Sequence, residues 1–399
     1  MVKKLRSDFF RDILGRAHWH NKSNDWEAPA KNPLFTGFSS ELHLAIQFAY
    51  NDRHELMHDS PHAYRNGQWF AGAGQTDNQG KHRFKQFNYD HAGNPNVTHW
   101  SYHHWSSHQP NERNQLTSAF GRALAYDADG NLTNDGQWAY TYDAENRLTR
   151  LARLDGAQEI INTYDHLHRR VRMQARDGPG GPWWSKRFIH DGFNIIAELW
   201  DDNYSPIVQT LVWGLDQSGS LGGAGGIGGL LAIHSGGRAY LPLQDGLGSI
   251  HGYVDSTTGG TGAAWDFTAH GETIHERGAF HDGGGGFLAG SWDFRLRYQS
   301  KYADFVGPLI DFGRRFYHPG LGRFINRDPI EEAGGNNLYA YAGNDPVNRW
   351  DYLGMCSGED EEDGDDICDE LVPLPPYVIN ERRGDYGLPD DLFGDPNAG

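Results

Sequence analysis

Through the middle of the chain, tyrosine and leucine alternate with polar residues in the pattern Tyr-Asp-x-x-(Gly/Asn)-x-Leu. Copies read YDADGNLTNDGQWAY at 126–140, YDAENRLTR at 142–150 and YDHLHRRVR at 164–172, with an earlier one, YDHAGNPNVTH, from Tyr89. A period of two puts Tyr and Leu on one face of a strand and polar groups on the other. Between two strands the Asp side chain bonds backbone amides to open a turn, and Gly130 or Asn146 takes the left-handed conformation that closes it. The interval between units, irregular but near roughly 20 residues, is that of a strand hairpin and too short for a two-helix repeat. Each hairpin buries little by itself, so the units must stack on one another.

More degenerate units follow as RFIHDGFNIIAELW at 187–200, a glycine-rich stretch over 207–259 and AAWDFTAHGETI at 263–274. The run from Gly219 to Gly229 lacks the Lys-Ser/Thr of a phosphate loop and has no following helix, so it reads as a turn between strands. Stacked hairpins are therefore expected over 85–290, with Tyr89, Tyr126, Tyr142 and Tyr164 at strand ends and Asp127 and Asp143 opening turns.

Composition agrees with an all-β body: 52 Gly, 13 Trp, 19 Tyr and 20 Phe stand against 4 Met in 399 residues, which suits short aromatic strands and tight turns. The net charge of -18 is concentrated at the C-terminus, where 14 acidic and 2 basic residues follow Met355. That balance argues against a nucleic-acid partner. The two cysteines, Cys356 and Cys368, both fall in this tail, so no disulfide framework holds the fold, and a single bridge between them is left open. The basic start has no apolar core of a signal peptide, and no run approaches the 18 apolar residues of a membrane span. Neither is expected in this chain; export would need a dedicated secretion system or a signal on a longer parent.

Toward the C-terminus the chain reads GPLIDFGRRFYHPGLGRF at 307–324, then Arg327-Asp328-Pro329-Ile330, then Asn337 to Pro346, and closes on Asp351-Tyr352-Leu353-Gly354-Met355. Together with the Tyr-Asp units, these motifs resemble the RHS/YD-repeat family, related to teneurin-type and Tc-toxin-type shells. The resemblance covers about two thirds of the chain. It implies a partial YD-repeat β-shell of stacked hairpins at 85–290, an RHS-associated core at 291–355 that plugs it, and a short irregular acidic tail at 356–399.

In toxin members of the family the shell encloses a C-terminal toxin, and the core is an aspartyl autoprotease that severs it after a closing D-P-x-G-L. Carried over by motif, the two carboxylates are Asp328 and Asp351, Arg327 orients the first, and the severed bond is Met355–Cys356. Such a pair must share a proton, one carboxyl neutral while the other activates water. The closing element departs from the family in having Tyr352 for Pro and Met355 for Leu. Losing Pro frees a dihedral that would present the peptide, so at most vestigial self-cleavage is expected. With few units and no cargo-sized segment after Met355, the chain reads as a truncated or orphan shell end, a scaffold of a polymorphic toxin or surface protein. The family implies a secreted or cell-surface setting, a C-terminal cargo in a longer parent, and no cofactor.

Two rival readings come from other residues. His54-Glu55-Leu56-Met57-His58 fits the H-E-x-x-H of zinc proteases, and 39–58 can be written as a short helix capped by Ser39 or Ser40, with both imidazoles on one face and Glu55 as base. The chain holds 21 His, however, so the motif arises readily by chance, and Pro61 and Tyr64 stand where a metzincin continuation has Gly and a third His. Residues 1–84 otherwise match no repeat. The cluster His99, His103, His104 and His108, interleaved with aromatic residues, reads as packing rather than a metal site. A carbohydrate- or protein-binding β-module would instead use an exposed aromatic patch built from Trp183, Trp184, Trp200 and Trp213.

Overall fold

The computed structural model describes residues 9–11, 17–19, 43–51, 53–65, 68–71, 85–101, 104–201, 208–281, 287–290 and 293–358, all within the unit Met1–Asp360. Their regular structure is antiparallel β-sheet with single-turn 3-10 segments and no α-helix. A fourteen-stranded sheet runs from Ala125–Tyr126 to Thr273–Arg277, every strand pairing with its neighbour in sequence. A six-stranded sheet precedes it, built from His43–Tyr50, Leu56–Arg65, Gln68–Ala71, Lys85–Tyr89, Pro95–Ser101 and His104–Ser107.

The Tyr-Asp unit is a hairpin with one recurrent turn. Tyr89, Tyr126, Tyr142 and Tyr164 each end a strand. In the next residue, Asp143 Oδ1 accepts the amides of Glu145 and Arg147 at 3.0 and 3.1 Å, and Asn146 closes the turn at φ 59°. Two backbone bonds, Asp143 N–H to Arg147 O and Asn146 N–H to Asp143 O, complete it. The same pair of bonds recurs at turns opening on Asn51, Asp90, Asn111, Asp127, Asp165, Asp216, Asp245 and Thr268. Tyrosine is needed for its hydroxyl as well as its ring: Tyr142 donates to Leu132 O at 3.0 Å and Tyr164 to Leu148 O at 2.7 Å, each satisfying a carbonyl of the preceding hairpin.

Because the strands of the large sheet follow one another, every second connection falls on the same edge, and these turns form a row. The row is cross-linked, Asn131 donating to Asn146 at 2.8 Å and Arg169 to Gly192 O at 2.8 Å. Period-two burial then gives the sheet an apolar face, including Tyr140, Leu151, Ile160, Met173, Ile233, Tyr253 and Trp265. The segment 293–355 covers it, contributing Phe294, Tyr302, Phe312, Tyr317, Phe324 and Tyr341 to one shared core. Arg170 of the sheet enters this core and pairs with Asp304 at 2.6 Å and Asp311 at 3.0 Å. The same segment donates to turn carbonyls of both sheets: Tyr339 to Gly130 and Ser300 to Gly248 in the row, at 2.8 and 2.7 Å, and Asn344 to Gly93 of the six-stranded sheet at 2.8 Å. The turns thus seat the plug as well as reverse the chain.

The helix written for 39–58 is not formed. His43–Tyr50 and Leu56–Arg65 are paired strands, in register from His43 opposite Tyr64 to Ala49 opposite His58, with a one-residue shift that sets Tyr50 opposite Leu56. Leu44, Ile46, Phe48 and Tyr50 alternate with His, Ala and Gln, a period of two, and Tyr50-Asn51-x-x-His54-x-Leu56 is one more repeat unit. Asn51 does the work of Asp, accepting the amides of Arg53 and Glu55, and His54 takes the left-handed place at φ 61°. The repeat therefore extends into the region that seemed free of it; Asn and His in the two signature places hid it.

Candidate carboxylate site at the closing hairpin

Trp350–Tyr352 pairs with Cys356–Gly358, setting Tyr352 opposite Cys356. Leu353 at φ 54° and Gly354 at φ 77° reverse the chain, and Met355 N–H returns to Tyr352 O at 3.0 Å. Glycine is required at 354, where a Cβ would meet Arg315, Phe324 and Phe312 at 3.1–3.3 Å. Tyr352, which stands where the resembled closing motif has Pro, is held by this pairing and by burial. The whole hairpin turn is packed inside the plug.

Asp328 and Asp351 are both buried, and they face the same guanidinium. It belongs to Arg315, whose Nη2 meets Asp328 Oδ2 at 2.8 Å; Nη1 donates to Leu338 O at 3.0 Å and Nε to Gly354 O. Phe324 stacks beneath it, 3.8 Å from ring centroid to Cζ. Burial raises the pKa of Asp328, and Arg315 together with the Ile330 amide opposes the rise. Asp351 is pushed up to about 7, first by burial and further by Asp328, with Arg315, Lys301 and the Met355 amide opposing. Among the described residues its Oδ1 has no hydrogen-bond partner. The arrangement is one carboxylate held by a cation beside a second whose pKa is raised to about 7, the division of labour an acid–base pair needs.

The bond expected to be severed lies at this pair. A Cβ on Gly334 would fall 2.7 Å from Asp328 Oδ2 and 2.8 Å from Met355 O, so carboxylate and carbonyl converge on one point kept free of side chain. Between the two aspartates, residues 337–341 pair through a single bridge, Arg323 to Ala340, and the side chains of Asn337 and Tyr339 donate to Asn94 Oδ1 and Gly130 O.

Arg327 does not orient Asp328. Its side chain lies over Gly130, where a Cβ would be 2.7 Å from Arg327 Cδ. Asp328 precedes Pro329 and is biased to extended backbone, in which consecutive side chains point apart. Arg315 takes the role, and the sequence did carry it, in the FGRRFY of the core motif.

The rival sites are not assembled. Glu55 is buried, accepting from Asn51 at 2.6 Å and Asn344 at 3.1 Å and pairing with Arg53 at 2.6 Å, while His54 is exposed in a turn and His58 lies in a strand. Among the described residues no group of three or more His, Cys, Asp or Glu could hold a metal. His99 and His104 lie in strands, His108 stands edge-on to Phe120, and His103 lies outside the described residues. Of the four tryptophans, only Trp183 is exposed; Trp184 and Trp200 stack at 5.4 Å, Trp184 also packs on Phe305, and Trp213 donates to Ile195 O. They do not make one exposed patch.

Fold and site together define an all-β protein: a long antiparallel meander whose row of turns seats a plug bearing two carboxylates. No family model matches the chain. In sequence it is similar to the tRNA3(Ser)-specific nuclease WapA of Bacillus spizizenii, 27% identical over 64% of this chain and 10% of that one. It is also similar to the double-stranded DNA deaminase toxin A of Burkholderia cenocepacia, 29% identical over 61% of this chain and 18% of that one. The chain thus spans between a tenth and a fifth of the length of these relatives. Among solved structures, the TcdB2–TccC3 complex matches 78% of this chain and 19% of that one, at TM-score 0.43 and 15% identity.

Proposed function

We propose that this chain is the closing end of an RHS-type shell, a scaffold whose core segment plugs the sheet and, in a longer parent, ends the wall around a C-terminal cargo. The observation that supports it is the seating of 293–355, by aromatic burial and by donors to turn carbonyls, on one face and one edge of the hairpin array. A plug bound that way closes the array rather than extending it.

The second reading is single-turnover self-cleavage, favoured by the convergence of Asp328 and the Met355 carbonyl at Gly334. The ionised Asp328 would take a proton from water as the water oxygen bonds to the carbonyl carbon of Met355. The neutral Asp351 would give its proton to the nitrogen of Cys356 as the C–N bond breaks, leaving a carboxyl on Met355 and an amine on Cys356. Because the bond is in the same chain, positioning supplies much of the rate. Mass spectrometry of the purified chain beside Asp328→Asn tests it. Cleavage after Met355 in the parent and not in the variant is the outcome expected for a protease. A parent that remains at 44.8 kDa after long incubation leaves the scaffold alone.

A further inference from the structure

Arg315 is the buried cation that touches both halves of the site, and neither the closing motif nor the Arg-Asp-Pro motif points to it. One guanidinium reaches the carboxylate of Asp328 and the carbonyl of Gly354, the residue before Met355, while its third nitrogen is tied to Leu338 O. Phe324 fixes the plane from below. A planar fork held at three acceptors has no freedom to follow either partner, so it must hold the two in register. We propose that Arg315 is the positioning residue of this site, registering the Met355–Cys356 peptide against Asp328 by gripping Gly354 O and the Asp328 carboxylate with the same guanidinium.

The proposal rests on the reading of Met355–Cys356 as the severed bond, and adds to it a residue that acts through others. It also explains how two buried carboxyls avoid equal ionisation. Arg315 meets Asp328 directly and acts on Asp351 from further away; the other charged groups facing Asp351 are Asp328 and Lys301, and Lys301 is itself committed to Gly225 O at 2.7 Å. With Arg315 in place Asp328 is the one to lose its proton first.

Two substitutions separate grip from charge. Arg315→Lys keeps the cation but cannot hold both acceptors, whereas Arg315→Gln keeps hydrogen-bonding capacity and removes the charge. In the full chain, cleavage followed by intact mass across pH 4–9 should slow at least about tenfold in Arg315→Lys with the pH profile unmoved. In Arg315→Gln the acidic limb of the profile should shift upward by about one unit or more, because Asp328 loses its counter-charge. Parent-like rates in Arg315→Lys overturn the proposal, as does an unmoved profile in Arg315→Gln. Carbon-13 titration of the Asp328 carboxyl, assigned with Asp328→Asn, keeps the question decidable if the parent does not cleave. The cleavage reading then fails by itself, while Arg315 is supported by an upward move of Asp328 in Arg315→Gln and overturned by its absence. Should Arg315→Gln not fold by circular dichroism, the Arg315→Lys titration decides: the parent value persisting beside a shifted Gly354 carbonyl signal supports the grip, and an unshifted carbonyl signal overturns it.

Discussion

At the scale of single residues, the fourth place of the recurrent turn carries two separate requirements. One is conformational: Asn146, His168 and His54 occupy the left-handed region at some cost, and Gly93, Gly130 and Gly248 occupy it freely. The other is space for the plug. A Cβ at Gly130 would meet Arg327 and the Tyr339 hydroxyl at 2.7 Å, whereas at Gly156, at φ 74° in a connection on the opposite edge, it would meet nothing within 4 Å. Gly156→Ala is therefore expected to destabilise by about 1 kcal/mol, the backbone cost alone. For Gly130→Ala the expected loss is about 3 kcal/mol, because the plug must also shift. Urea denaturation of both variants measures the difference, and equal losses would show that the plug does not press on the turn.

The element that carries the chemistry is the closing hairpin, and its stability should depend on pH through Asp351. With its folded pKa raised to about 7 from an ordinary carboxyl value, the folded chain keeps a proton that the unfolded chain releases near pH 4. Folded molecules then bind more protons than unfolded ones between about pH 4 and 7, so stability falls as pH rises through that window and levels off above it. Asp351→Asn cannot ionise and escapes the fall. It is expected to gain on the parent progressively from pH 4 to 7, reaching about 4 kcal/mol at pH 8. Denaturant midpoints measured at pH 4.5 and 8 check the sign; an advantage that does not grow with pH would mean that Asp351 is already ionised in the folded chain at pH 4.5.

At the scale of the whole described body, sheet and plug share one core and one buried ion cluster. Arg170 comes from the strand Arg170–Asp177 and its partners Asp304 and Asp311 from the plug. Removing one partner leaves a charge in the interior without full compensation, which is worth far more than the pair contributes. Asp304→Ala is expected to cost about 3 kcal/mol and to move a single unfolding transition. Two transitions by tryptophan fluorescence and circular dichroism would mean that the plug leaves the sheet before the sheet unfolds. The core that sheet and plug share also explains why a long meander needs such a segment: without it the apolar face of the sheet that the plug covers would be left to water.

By itself the sequence determined what depends on neighbours in the chain. Tyr-Asp at strand ends, the turn that follows and the period of two are local, so Tyr126, Asp127, Gly130 and Leu132 announce their own hairpin. Even so, local signals mislead when another residue type can satisfy the same geometry. Asn51 and His54 made a turn that looked like half of a zinc motif, because an Asn amide oxygen accepts the same amides as an Asp carboxylate and His tolerates the left-handed region. The tertiary structure decided which arginine serves the carboxylates. Arg327 and Arg315 are both within reach of Asp328 along the chain, yet the extended backbone before Pro329 turns Arg327 toward Gly130, and the strand pairing of 310–324 brings Arg315 under the closing hairpin. Direction and burial, not proximity in sequence, settle that choice, since a buried carboxylate takes whichever cation the packing of distant elements delivers with the right geometry.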